Sequence, residues 1–80
     1  MELDLNVGDI IIDKISGEIG LLIERYLLTN GGPHDPLALW AWDVYWVGQN
    51  IEPSRRLTPW TEYGLINIIN AGTFMHFKNI

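Results

Sequence analysis

The eleven residues Leu37-Ala38-Leu39-Trp40-Ala41-Trp42-Asp43-Val44-Tyr45-Trp46-Val47 limit what this chain can fold into more than any other stretch. A run so rich in aromatic and β-branched side chains favours extended backbone, because such side chains pack well on a pleated surface and lose rotamer freedom on a helix. It is too short for a membrane-spanning helix. With side chains alternating, Trp40, Trp42, Val44 and Trp46 share one face, while Leu39, Ala41, Tyr45 and Val47 share the other with Asp43. A strand that is apolar on both sides lies between two layers or at a contact with another subunit, and a chain of 80 residues has little material for two layers. The expectation is the spine of a small barrel that associates with copies of itself.

Composition supports this. A single domain over residues 1–80 buries only about 60 % of the surface its unfolded chain exposes, yet 48 % of the residues are hydrophobic. With no Cys, neither disulfides nor a thiolate metal site can brace the fold, and oligomerisation is the remaining means. Ten acidic residues against five basic ones give a net charge of −5, which opposes non-specific phosphate binding. Met1-Glu2-Leu3-Asp4 is acidic where a secretory signal is basic, and no apolar run reaches spanning length. A cytoplasmic protein with no membrane association is expected.

Around the Trp-rich strand the chain reads as a series of strands and turns. Ile10 to Ile15 is a strand with Ile10 and Ile12 on the apolar face and Asp9 and Asp13 on the solvent face. Ser16-Gly17 turns the chain into a strand from Glu18 to Thr29, which would span about 40 Å if straight and therefore has to bend in so small a domain. Gly20 is the expected bend, with Ile19, Leu21 and Ile23 inward and Glu24 and Tyr26 outward. Residues 29–36 form a loop with two Gly and two Pro. After Gly48-Gln49-Asn50, residues 51–57 read as a short strand that Pro53 confines to a sheet edge, open to pairing with a neighbour. Thr58-Pro59 reads as an N-cap and first helical residue, giving a helix over 59–70 with Gly72 as its C-terminal cap; a strand there is the alternative. Thr73 to Asn79 alternates as a closing strand. The fold class is mainly β: about five bent antiparallel strands in a partly open barrel, with one short helix before the last strand.

Val7-Gly8-Asp9-Ile10 followed by Gly17-Glu18-Ile19-Gly20-Leu21-Leu22 resembles the opening hairpin of SH3-like barrels. The whole chain, with its Trp-rich third strand and its Asn70-Ala71-Gly72-Thr73-Phe74 step, resembles short marine phage proteins, cyanophage ones especially, that look like distant Sm-like (LSm) barrels. The resemblance implies a homo-oligomeric ring of five to seven subunits that binds single-stranded RNA or DNA, RNA first, in the host cytoplasm. It also implies the binding residues. Tyr26 or His34 would stack on a base, Asn30 would hydrogen-bond it, and Arg55 and Arg56 would meet phosphate. The family's Arg-Gly step and N-terminal helix have no counterpart here.

Each of these residues also has a plainer reading. Arg55-Arg56, the one basic doublet of an acidic chain, could equally meet an acidic neighbouring subunit, and Trp40, Trp42 and Trp46 fit core or interface packing better than base stacking. Trp60 reads as a staple at the helix start. His34-Asp35 with His76 has the ligand types for zinc, but nothing fixes their spacing, so they read as ordinary polar residues and no cofactor is implied. Asp9 and Asp13 read as solubilising charges. Without Cys, and with Ser16 and Ser54 in no nucleophile context, an enzyme is not expected. A structural or protein-interaction module of a phage is the alternative to nucleic-acid binding.

Overall fold

Five antiparallel strands form one sheet in the order β4-β3-β2-β1-β5, from β1 (Ile10–Asp13), β2 (Ile19–Leu27), β3 (Trp40–Val47), β4 (Leu57–Thr61) and β5 (Phe74–Phe77). The computed structural model describes residues 4–28, 32, 34–36, 38–48 and 50–79. One helix, α1 (Glu62–Asn70), joins the two edge strands β4 and β5 and packs on β3, β4 and β5. The expected mainly β fold of five strands with a helix before the last is present. Among the described residues no helix is long and apolar enough to cross a membrane.

The β1–β2 turn follows from its side chains. Asp13 Oδ1 accepts from the backbone N–H of Ile15 and Ser16, Ser16 Oγ accepts from Glu18 N, and Gly17 takes φ +77°, open to glycine without strain. The sheet curls until its edges meet through side chains. Phe74 of β5 lies edge-on to Trp60 of β4 and to Trp46 of β3, with ring centroids 5.5 and 5.7 Å apart. β4 and β5 share no ladder, so the barrel is closed by aromatic contact and by α1 rather than by backbone. Ile11, Leu22, Trp42, Val44, Trp46 and Leu65 fill the interior, with Leu5 and Ile51 added from the flanking segments.

The Trp-bearing face of β3 is the inner one, as the alternation implies, but β1 and β2 present the opposite faces from those expected. In β1 it is Ile11 that is fully buried, while Ile10 is 37 % exposed. In β2 the interior takes Gly20 and Leu22, and Ile19 and Ile23 are exposed. Gly20 is not the bend. A side-chain carbon there would come within 2.8 Å of Val44 Cγ1 and 3.1 Å of Ile11 Cγ1 and Trp46 Cε3, so glycine lets three core side chains close over the strand. The irregularity lies between Leu22 and Glu24, where Ile23 is extra in the ladder with β3. Beyond it the parity reverses: Arg25 pairs with Trp42 on the inner face, and Glu24 and Tyr26 turn outward.

The segment after β3 also differs. Pro53–Arg55 is one 3-10 turn, and the edge strand is the next segment, β4, where Thr58, Pro59 and Trp60 pair with Val44, Asp43 and Trp42. Proline is tolerated because β4 has a partner on one side only. The helix therefore starts three residues later than expected. Thr61 is its N-cap, accepting from Gly64 N at 3.1 Å, and Glu62 stands in the first turn where the helix dipole favours a carboxylate. Gly72, φ +87°, ends it as expected, its N–H donating to Ile69 O and that of Thr73 to Ile68 O.

Asp9 shares the inner parity of Ile11 and is 1 % exposed, which corrects its reading as a solvent-facing charge. Its carboxylate accepts from Asn6 N at 2.9 Å, Asn79 N at 2.9 Å and His76 Nε2 at 2.7 Å. An ionised carboxylate only accepts, so His76 donates. Burial raises the Asp9 pKa, but the Asn79 N–H, the His76 side chain and the Asn6 N–H together outweigh it, and the carboxyl lies below its ordinary value. These bonds tie both flanking segments to β1 and β5.

Two measurements follow. Gly20→Ala overpacks the core and should lower unfolding stability in urea by about 1–3 kcal/mol. Asp9→Asn removes a buried carboxylate that accepts three hydrogen bonds and should cost about 1.5–3 kcal/mol at neutral pH. Because the folded-state pKa of Asp9 is depressed, the stability that its ionisation supplies is fully present above the unfolded value of 3.8 and disappears as pH falls through the folded value. The gap between the unaltered chain and Asp9→Asn should therefore narrow only below that unfolded value.

Candidate functional site

The outer face of the sheet follows from the register. Phe77 pairs with Ile10, Ile10 with Leu21, Leu21 with Tyr45 and Tyr45 with Leu57, so one row of five apolar side chains crosses all five strands. Beside it a second row runs Met75, Ile12, Ile19, Val47. Because alternate residues of a strand point to opposite faces, and Ile11, Leu22, Val44 and Trp46 point inward, both rows point outward. Phe77, Tyr45, Leu57, Met75, Ile10, Ile19 and Val47 are each between 36 and 50 % exposed, which is what large side chains lying side by side on an uncovered face leave accessible. No charged residue stands in either row, and among the described residues the one cation set over them is the Arg56 guanidinium, 5.9 Å from the Tyr45 ring centroid. Acidic residues begin beyond the first row, at Glu24 and Asp43, and Lys14 lies beyond the second.

At the open end of the barrel, the reversal of parity after Ile23 aims Arg25 at the helix. Its guanidinium forks onto Glu62 at 2.8 and 3.0 Å and stacks over Trp40, 3.9 Å from the ring centroid. Glu62 Oε1 also accepts from Trp42 Nε1 at 2.9 Å. The Arg25 hydrogen bonds lower the Glu62 pKa, burial opposes them, and the Trp42 bond lowers it further. Arg25, Trp42 and Glu62 line a cleft of about 450 Å³ with Asp4, Asn6 and Ile66. Its Arg25 and Glu62 charges are engaged with each other, so the cleft is a braced joint between β2, β3 and α1.

The residues expected to bind nucleic acid fall in separate places. Tyr26 is half-buried at the far end of β2, opposite Ala41. Burial, the hydrogen bond to Asp43 and the charges of Asp43 and Glu24 raise its phenol pKa. His34 is exposed in the β2–β3 connection, and Asn30 lies outside the described residues. Arg55 and Arg56 are at the other end of β3, roughly 20 Å away along a strand from Ala41 to Val47. Arg55 is exposed, its Nη2 3.9 Å from Glu18 Oε1. Arg56 instead donates to Trp46 O and Gly48 O at 3.1 Å and to Ile51 O at 3.4 Å, holding the turn between β3 and β4. Among the described residues no three His, Cys, Asp or Glu side chains are placed to hold a metal ion, and His76 is engaged by Asp9.

Two features escaped the sequence reading. The Asp9–His76 pair joins residues 67 positions apart, a separation at which no local motif speaks. The outer rows left a trace, since apolar residues stand on both parities of all five strands, but only the register shows that they align.

Comparison with known proteins finds no matching family model, no matching curated protein and no matching solved structure.

The two arginines should separate in a stability measurement. Arg56→Ala leaves three carbonyls without their charged donor and should cost about 1.5–3 kcal/mol in urea unfolding. Arg55→Ala should stay within roughly 0.5 kcal/mol of the unaltered chain.

Proposed function

We propose that this domain is a non-enzymatic protein-interaction or structural module, and that its contact surface is the outer face of the sheet. One observation carries the reading: two unbroken apolar rows lie uncovered across the strands. Contiguous apolar patches of this kind mark interaction sites, whereas isolated exposed apolar residues do not. The charged side chains support it from the other direction. Asp9, Glu62, Arg25 and Arg56 hold parts of the fold together, which leaves the apolar face as the largest unengaged chemistry among the described residues. The resemblance to short phage proteins suggests an assembly component.

Single-stranded nucleic acid, the other reading, rests on that resemblance and on Tyr26, Asn30, His34, Arg55 and Arg56. It gains less from the geometry, because the aromatic and basic members sit at opposite ends of β3 and Arg56 is occupied.

Tyr45→Thr combined with Phe77→Thr removes two large apolar side chains from the face and keeps a strand-favouring residue at each position. The double variant should elute clearly earlier from a hydrophobic-interaction column while its thermal midpoint is little changed. Unchanged retention would count against the face as a contact surface. In parallel, fluorescence anisotropy with a single-stranded oligoribonucleotide at low salt should show no binding. Saturable binding lost on Arg55→Ala or His34→Ala would move the assignment to nucleic acid.

A further inference from the structure

We infer that the occupant of the outer face is a second copy of this chain, docked sheet against sheet about a two-fold axis that runs between the sheets and across the strands. The inference rests on the proposal that this face is a contact surface, and it adds which partner covers it.

Area is the first argument. Seven side chains of the two rows and Ile23 beside them are each between 36 and 50 % exposed. At roughly 150–250 Å² apiece, they present on the order of 650 Å². That exceeds the ~300–600 Å² of the largest patch on a typical monomer. It also approaches the ~800 Å² per partner of a standard-size interface, before any polar rim is added. A twisted sheet packs well on a copy of itself, the inner side chains interdigitating at about 10 Å separation.

Charge is the second. Two chains of net charge −5 repel, so a contact between copies is favoured where neither presents carboxylates at its centre. The two rows meet that condition. Their ends differ in sign. Lys14 is the next outward position of β1, its backbone N–H continuing the ladder to Thr73 O, and Glu24 lies at the other end of the face opposite Asp43. An axis across the strands exchanges the two ends, so Lys14 of each copy lies over Glu24 of the other. A two-fold contact makes that pair twice.

Sedimentation equilibrium of the full chain, from low to several hundred micromolar, tests this. The mass should rise from 9.2 kDa towards twice that value. Tyr45→Thr, one strand from the centre of the longer row, should weaken the dimer at least about tenfold. Leu57→Glu at the β4 edge provides an independent disruption should Tyr45→Thr perturb folding. Lys14→Glu alone, and Glu24→Lys alone, should each weaken self-association about tenfold, since either change turns both symmetry-related exposed ion pairs into like-charge contacts. Mixing the two variants should give a heterodimer tighter than either homodimer, since one pair is then the original Lys14–Glu24 and the other is the same pair with its signs exchanged. A chain that stays monomeric throughout would overturn the second copy as occupant, while early elution of the double threonine variant would still support a contact surface for some other protein. Larger assemblies indifferent to Tyr45→Thr and Leu57→Glu would place self-association on the sheet edges and overturn the face-to-face arrangement.

Discussion

Among the described residues a single α-helix of nine residues is all there is to lay over a five-stranded sheet, and a helix covers one face. The rest of the molecule follows from that shortage. The inner face curls around Leu65 until the edge aromatics Trp60 and Phe74 touch, which shelters the tryptophans of β3 without a second layer. Among the described residues no helix or strand packs on the outer face. Its side chains are nonetheless as large and apolar as those inside, so the chain has the sequence of a sheet covered twice and the structure of a sheet covered once.

Holding so thin a body together falls to two carboxylates placed at different ends, Asp9 buried and Glu62 part-buried. Asp9 gathers the residues before β1 and after β5, while Glu62 gathers β2 and β3 to the start of α1 through Arg25 and Trp42. Each carboxylate accepts several hydrogen bonds that favour the ionised form, the arrangement in which a buried charge is tolerated. The bulge at Ile23 belongs to the second clamp. Without the extra residue the inner parity of Leu22 would continue to Glu24, and Arg25 would point away from the helix that it anchors.

The period of each strand was legible in the sequence, and the face that turns inward was legible only where one face is clearly heavier. In β3 the three tryptophans of one parity settle the question. In β1 they do not: Ile10 and Ile12 outnumber Ile11, yet Ile11 goes in, because its parity also carries the carboxylate that His76 and two backbone N–H groups neutralise. Long-range partners make Asp9 cheap to bury, and composition cannot show them. Gly20 misleads in a similar way, since a strand glycine signals either a bend or a close approach, and only Val44, Ile11 and Trp46 around it decide. Thr58-Pro59 carries the helix-start signal, but Thr61 with Glu62 carries it too, and pairing of residues 57–61 with β3 takes the first of them for the sheet.

The same tertiary choices bear on what the molecule does. An expectation of surplus apolar surface arose from the Trp-rich strand, yet the tryptophans lie largely inside, and the surplus sits on the other parity in Tyr45, Val47 and their cross-strand neighbours. That transfer changes the chemistry on offer. Tryptophans on an outer face would have been stacking platforms for bases. Rows made mostly of Ile, Leu, Val and Met, with Tyr45 and Phe77 as their two aromatic members, offer a base less than they offer another apolar sheet, where interdigitated side chains lose their water together. On the proposed reading, a face of this composition on an acidic domain favours a protein surface over a polyanion, and the unbroken rows give that contact its shape.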